Sequence, residues 1–264
     1  MNLNQAAVVL RPRKVSEVLD LACLWLVSRS LAMTLRLSAV VLLPVFVIVM
    51  VCRYALQWPP FALWLLAFAL VTPLEGVFTI AAGRMLFNEQ LSVRQVLGLY
   101  RKRLGAYLGA LLISRFYIAL ASLLIVPLPI LSMRMMFVHE AALLEMASAH
   151  EATKRSTRLA TLRTSGAFQA WFALLLAQIA VVAVAEIVGQ GIVGQLLQLG
   201  QPFGALEKVW FTPFALLGLL ASVPYVAVAR YLLYIDTRTR TDGWDIQVRF
   251  FAIAANEDKG GLTT

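Results

Sequence analysis

Runs of apolar residues long enough to cross a lipid bilayer recur along this chain, and no other feature limits its fold so strongly. The first lies at about 34–54 and contains Leu37-Ser38-Ala39-Val40-Val41-Leu42-Leu43-Pro44. Others lie at about 60–83, 105–133, 166–188 and 209–234. A helix needs roughly 20 consecutive apolar residues to span the hydrocarbon core. Of the 264 residues, 61% are hydrophobic and 14% charged, where a soluble domain has about 45–50% and about 25%. A soluble core cannot hide that excess, because a chain of this length leaves roughly a quarter of its unfolded surface exposed. The apolar runs therefore meet lipid. The reading is an all-α, polytopic transmembrane helical bundle of five to six membrane segments with interfacial amphipathic helices and both termini cytosolic.

The polar stretches set the divisions. Residues 15–30 place Val15, Val18, Leu19, Ala22 and Leu26 on one helical face, with Ser16, Glu17 and Asp20 off it. An interfacial helix and a leader into the first span both fit that pattern. Pro44 is tolerable in a membrane helix, and Trp58 beside Pro59 and Pro60 suits a turn at headgroup level. Stretches 84–104 and 139–165 are polar and basic, and a Gly- and Gln-rich linker precedes the last run. Residues 1–33 then form an N-terminal cytosolic or interfacial helix, 34–234 the bundle and 235–264 a cytosolic tail. A cleaved secretory signal is not expected, since Glu17 and Asp20 interrupt the stretch after Arg11, Arg13 and Lys14. Cys23 and Cys52 lack ligand spacing and predict no disulfide framework.

Charge placement fixes the expected topology. The net charge is +9, and 20 of the 23 Lys and Arg residues fall in four groups, leaving Arg53, Arg115 and Lys208 elsewhere. Basic residues collect on the cytosolic side, next to anionic headgroups. All four groups reach that side only if 105–133 enters and returns as a hairpin, with Arg115 near the turn. Two full spans need about 40 residues, so the arms must be short, re-entrant or lengthened by flanking helices.

Ionisable groups at membrane depth are functional hypotheses by default. Glu75 is the clearest, in Thr72-Pro73-Leu74-Glu75-Gly76. It reads either as an ion- or proton-coupling carboxylate or as half of a structural ion pair, with Arg115 the obvious partner. Gly76 permits close approach of another helix. Gln169 and Gln178 suit contacts between helices.

The search for chemistry is mostly negative. His139-Glu140 starts a zinc-protease motif, but position 143 is Leu143 rather than a second histidine. No phosphate-binding Gly-rich loop or nucleophile elbow is present. No catalytic residue, metal or cofactor is expected. Asp236, Asp242 and Asp245 alternate with Arg238 and Arg240, which predicts a salt-linked cytosolic cap. Lys154, Arg155 and Arg158 oppose Ala152, Leu159 and Leu162 across a helix that should lie on the inner leaflet. Aromatics do not interleave these cations, so nucleic acid is not an expected partner.

Two segments carry a resemblance. In one, Pro127 or Pro129 is followed by Arg134, Leu144-Glu145 and Ala152-Thr153-Lys154-Arg155-Ser156. In the other, Tyr234 is followed by Asp236, Arg238, Arg240, Gly243 and Asp245. Together they resemble the bacterial membrane-protein family related to the membrane domain of glycerophosphoryl diester phosphodiesterase. The family's usual Pro-Gly is Pro127-Leu128 here. The resemblance implies a bacterial inner-membrane protein associated with envelope functions. It carries no activity over, because the phosphodiesterase barrel of roughly 250 residues has no room in this chain.

Two functional expectations follow. One is a non-enzymatic scaffold or accessory subunit with a membrane or cytosolic protein partner, in which Arg134, Glu145, Arg155, Ser156, Asp236, Arg238, Arg240 and Asp245 build a docking surface. The other is a transporter or lipid-handling protein using Glu75 and Arg115 within the bundle. Anionic lipid headgroups are expected partners under both.

Overall fold

The computed structural model describes residues 13–86, 91–124, 126–204 and 206–242, and all regular structure among them is helical. The helices are α1 (Val15–Ser28), α2 (Leu31–Tyr54), α3 (Pro60–Met85), α4 (Val93–Ser122), α5 (Pro127–Arg134), α6 (Val138–Leu143), α7 (Ala149–Leu162), α8 (Thr164–Gly191), α9 (Leu206–Val209) and α10 (Pro213–Asp242). Five are long and apolar enough to cross a membrane: α2, α3, α4, α8 with its extension to Leu196, and α10. The chain is a multi-pass helical membrane protein.

Local chemistry sets the helix starts. Pro60 and Pro127 occupy first-turn positions, where a missing N–H costs nothing. Ser92 and Gln95 form a reciprocal capping box, the Ser92 N–H donating to Gln95 Oε1 at 2.8 Å. Ser148 caps α7 through the Glu151 N–H. Pro44, Pro73 and Pro224 lie inside helices, where the surrounding bundle supports the interrupted ladder.

α10 is the central post. Of its most apolar stretch 78% is buried, against 11% for α8. It packs on α8, α3, α1 and α2, so α10 forms the core while α8 presents most of its surface outward. Both described chain ends meet at one end of the bundle, here called basal. The Arg13 N–H donates to Asp236 Oδ1 at 2.7 Å, and Arg240 Nη2 donates to the Arg13 carbonyl at 2.7 Å. Ala82 and Leu86, where α3 ends, share a basal core with Val18, Trp25, Phe137 and Tyr234. A second core lies deeper in the bundle, among α2, α3, α4, α6 and α10. α8 also starts basally, because Arg163 beside it pairs with Asp236. α4 and α8 therefore run the same way, and α5 to α7 carry the chain back between them.

That return differs from the expected hairpin. α4 passes unbroken through Ser114-Arg115 and ends at Ser122, so Arg115 is not at a turn. Ser and Arg do not stop a helix, whereas Pro127 cannot extend one from the preceding turn. α4 ends at Ser122 and the return arm α5, which starts at Pro127, has 8 residues. Its length of roughly 12 Å is far short of the ≈ 30 Å bilayer core. α4 also reaches back to Val93 and takes up the basic stretch. α8 continues through Gly189 and Gly191 into a π-helical turn, Ile192–Leu196. α10 runs through Tyr234 without a break, so the tail motif is helical as far as Asp242. Gly243 and Asp245 lie outside the described residues.

Gly218 sets the distance between α8 and α10. A Cβ there would stand 2.7 Å from the Val182 Cα and 2.8 Å from the Ala185 Cβ. Backbone cannot yield as a side-chain tip can. Gly218→Val is expected to destabilise the protein by about 1–3 kcal/mol, read as a lower melting temperature in detergent; an unchanged melt would mean the two helices are not locked there.

Candidate functional site

Arg230 on α10 sits among three helices with every guanidinium nitrogen engaged. Its Nε donates to Glu140 Oε1 at 2.8 Å, Nη1 to Glu75 Oε1 at 2.6 Å, and Nη2 to Thr79 Oγ1 at 3.4 Å. Glu75 and Thr79 belong to α3 and Glu140 to α6, so one side chain fastens α3, α6 and α10. Glu140 and Arg230 are buried, and Glu140 Oε2 has no hydrogen-bond partner among the described residues. Two carboxylates thus rely on one cation. The expected pair of Glu75 with Arg115 is corrected by this geometry: the guanidinium bonded to Glu75 is that of Arg230.

The surroundings extend the network. Tyr107 Oη lies 2.7 Å from His139 Nδ1 and 3.2 Å from the Thr72 carbonyl, while Tyr100 Oη donates to the Pro73 carbonyl at 2.8 Å. The single Tyr107 hydroxyl hydrogen goes to the Thr72 carbonyl, so His139 donates from Nδ1 to Tyr107 Oη, and its Nε2 lies 3.9 Å from Glu75 Oε2. Burial, with Arg230 and Arg115 adding to it, holds the His139 pKa well below its usual value, so the imidazole is neutral. Gly76 makes the crowding possible, since a Cβ there would lie 2.7 Å from Leu143 Cδ1 and 2.8 Å from the Tyr107 ring.

This charged cluster forms the floor of a groove of about 810 Å³. α4 packs on α3 and α8 packs on α10, while α4 and α8 stand apart and α5 touches both. The walls are apolar, including Leu65 and Phe68 on α3, Leu112 on α4 and Leu175 on α8. Arg115 also lines the groove, and it is exposed. No hydrogen bond or ion pair engages it among the described residues, unlike Arg230. Gln178 faces the same space and donates to Ser222 Oγ at 3.3 Å.

The remaining residues singled out in the sequence form a basal clasp. Glu145, between α6 and α7, pairs with Arg155 at 2.6 Å and with Arg238 at 2.9 Å, and it accepts from the Tyr234 hydroxyl. Asp236 pairs with Arg163 at 2.9 Å and with Arg240 at 3.1 Å. Ser156 Oγ donates to the Arg134 carbonyl at 2.7 Å and accepts from the Phe137 N–H at 3.1 Å. The two segments that carry the family resemblance are therefore in direct contact, α10 holding the re-entrant arm through ion pairs.

Sequence reasoning missed Arg230, Glu140, His139 and Tyr107 as parts of one cluster. Arg230 had a signal: it interrupts Ala227-Val228-Ala229 and Tyr231-Leu232-Leu233 inside the last apolar run, yet it groups naturally with the tail cations. His139-Glu140 had a signal too, but only as a failed metal motif. Comparison with protein-family models, curated proteins and solved structures finds no match to this chain.

Removing Arg230 strands two carboxylates, whereas removing Glu75 leaves Arg230 paired with Glu140. Arg230→Gln is expected to destabilise by about 3–5 kcal/mol and Glu75→Gln by clearly less, compared as melts in one detergent; equal losses would refute the shared-cation account. Glu145→Gln is expected to raise hydrogen exchange in α5–α7 while α2 and α3 stay protected. Unchanged exchange would show that the clasp does not hold the arm.

Proposed function

We propose that this chain is a non-enzymatic, multi-pass protein of the bacterial cytoplasmic membrane that handles a membrane amphiphile in the groove between α4 and α8. The groove itself carries this reading: it combines an opening between two spanning helices, apolar walls and a charged floor. A lipid can enter such a site sideways from the bilayer, without passing through water. The orientation rests on charge. Arg94, Arg101 and Lys102 near the start of α4, with Lys154, Arg155 and Arg158 on α7, are exposed toward the basal side, and exposed cations favour the cytosolic face. The resemblance to the phosphodiesterase-associated membrane family supports the bacterial envelope setting.

Glu75 acts in this reading as part of the floor. Its bond to Arg230 favours a structural ion pair over a freely titrating coupling group. The scaffold reading keeps one specific support, the exposed basic face of α7 beside the clasp, which could meet an acidic protein partner.

The test is purification from native membranes in mild detergent, with mass spectrometry of bound lipids and proteins. Wild-type protein is expected to retain about one lipid per chain, and Ala119→Trp, which fills the groove wall, is expected to lose it. Equal lipid retention by both would overturn the groove reading. A stoichiometric protein partner released by Arg155→Glu, with no retained lipid, would establish the scaffold instead.

A further inference from the structure

Two arginines face the groove, and their situations are opposite. Arg230 spends all three guanidinium nitrogens on Glu140, Glu75 and Thr79. Arg115 spends none among the described residues, although it is exposed in a cleft whose walls are apolar. A guanidinium at membrane depth is costly unless it reaches water, a counter-charge or a headgroup. Arg115 lies seven residues before the end of α4 at Ser122, roughly 10 Å along the helix axis. Helical side chains lean toward the N-terminus of their helix. For Arg115 that lean is away from the nearer helix end and toward the charged floor.

The floor attracts Arg115 only at a distance: Glu75 acts on it electrostatically but makes no ion pair or hydrogen bond with it, so the guanidinium donors of Arg115 stay unspent. Glu75 and Glu140 already share Arg230, and Glu75 lies outside ion-pair distance of Arg115, its ion pair being with Arg230. A ligand carrying its own negative charge would complete the site. Guanidinium offers a planar fork that matches two phosphate oxygens, and the groove mouth opens toward lipid.

Building on the lipid-handling reading above, we propose that Arg115 is the headgroup ligand of the groove: it holds the phosphate of an anionic phospholipid, one of whose acyl chains lies along Leu65, Phe68, Leu112 and Leu175. The recognition is electrostatic at the head and nonspecific along the chain. The site therefore selects lipids by headgroup charge and tolerates variation in chain length.

The experiment is native mass spectrometry of the full chain, titrated in detergent with dioleoyl phosphatidate or with dioleoyl phosphatidylcholine, which has the same chains and no net charge. Wild type is expected to prefer phosphatidate by about tenfold or more, the size of one charge-assisted hydrogen-bonded contact. Arg115→Gln is expected to bring the two lipids within about threefold by lowering phosphatidate binding alone, and Arg115→Lys to keep part of the preference. A wild type without preference, or a preference that survives in Arg115→Gln, would overturn the assignment. So would oleate binding as well as phosphatidate, which would point to carboxylate-bearing single chains, or displacement of phosphatidate by equimolar inorganic phosphate, which would point to a soluble anion. Should Arg115→Gln fail to fold, the Arg115→Lys comparison decides: an undiminished preference supports a guanidinium-independent cation site, and a reduced one supports the phosphate fork. Ala119→Trp separates the two levels of inference. If it lowers binding of both lipids while Arg115→Gln changes nothing, the groove reading stands and the headgroup assignment falls. If it lowers neither, the groove reading itself falls.

Discussion

The guanidinium of Arg230 is the contact on which the arrangement of this bundle depends. It joins α3, α6 and α10 at one point, through bonds of 2.6 Å to Glu75 and 2.8 Å to Glu140. Burying one carboxylate and one arginine is expensive, and the geometry has to recover that cost through direct, well-aligned bonds. Here a second carboxylate shares the same cation, so the network has no slack. Lipid-facing side chains can slide past one another with little penalty, because lipid is as apolar as they are. A three-way ion pair cannot. It gives a bundle of greasy helices a fixed register.

The register has a consequence for α6. This short helix contains no apolar run that could hold it in place, yet all six of its residues are buried. Glu140 anchors it through Arg230, His139 through Tyr107, and Leu143 fills the space left by Gly76. With α6 fixed, α5 and α7 are drawn inward, and the chain returns to the basal end without a full-length span. The clasp of Glu145 and Asp236 secures the same return from the other side. The re-entrant arm is therefore held by charge at two places, through Glu140 at Arg230 inside the bundle and through the clasp on its basal edge.

The groove is the geometrical remainder of that solution. Because α5 has only 8 residues, it touches both α4 and α8 without filling the space between them, and the groove remains. Arg115 lines the groove while Arg230 closes the floor. One cation is thus structural, and the other makes no hydrogen bond or ion pair among the described residues. The difference lies in their neighbours, since the two side chains are chemically the same.

Helix number and membrane insertion were legible in one dimension, because the need for roughly 20 apolar residues per span is a property of consecutive residues. Pro60, Pro127 and the Ser92–Gln95 box mark helix starts for the same local reason. Glu75 and Arg115 stood out as charges within apolar runs, and the tail motif as alternating acids and bases. What the sequence could not supply was pairing. Glu75 and Arg230 are 155 residues apart, and either of two arginines could have satisfied the carboxylate by charge alone. Arg115 was placed at a hairpin turn because charge distribution demands a return to one side, but the break itself is made by Pro127, and α4 continues through Arg115 to Ser122. The groove has no sequence signature, since it is the separation of two helices that each pack elsewhere. Composition and local backbone chemistry decide what enters the membrane; which charges meet there depends on distances between helices, and those exist only once the bundle has closed.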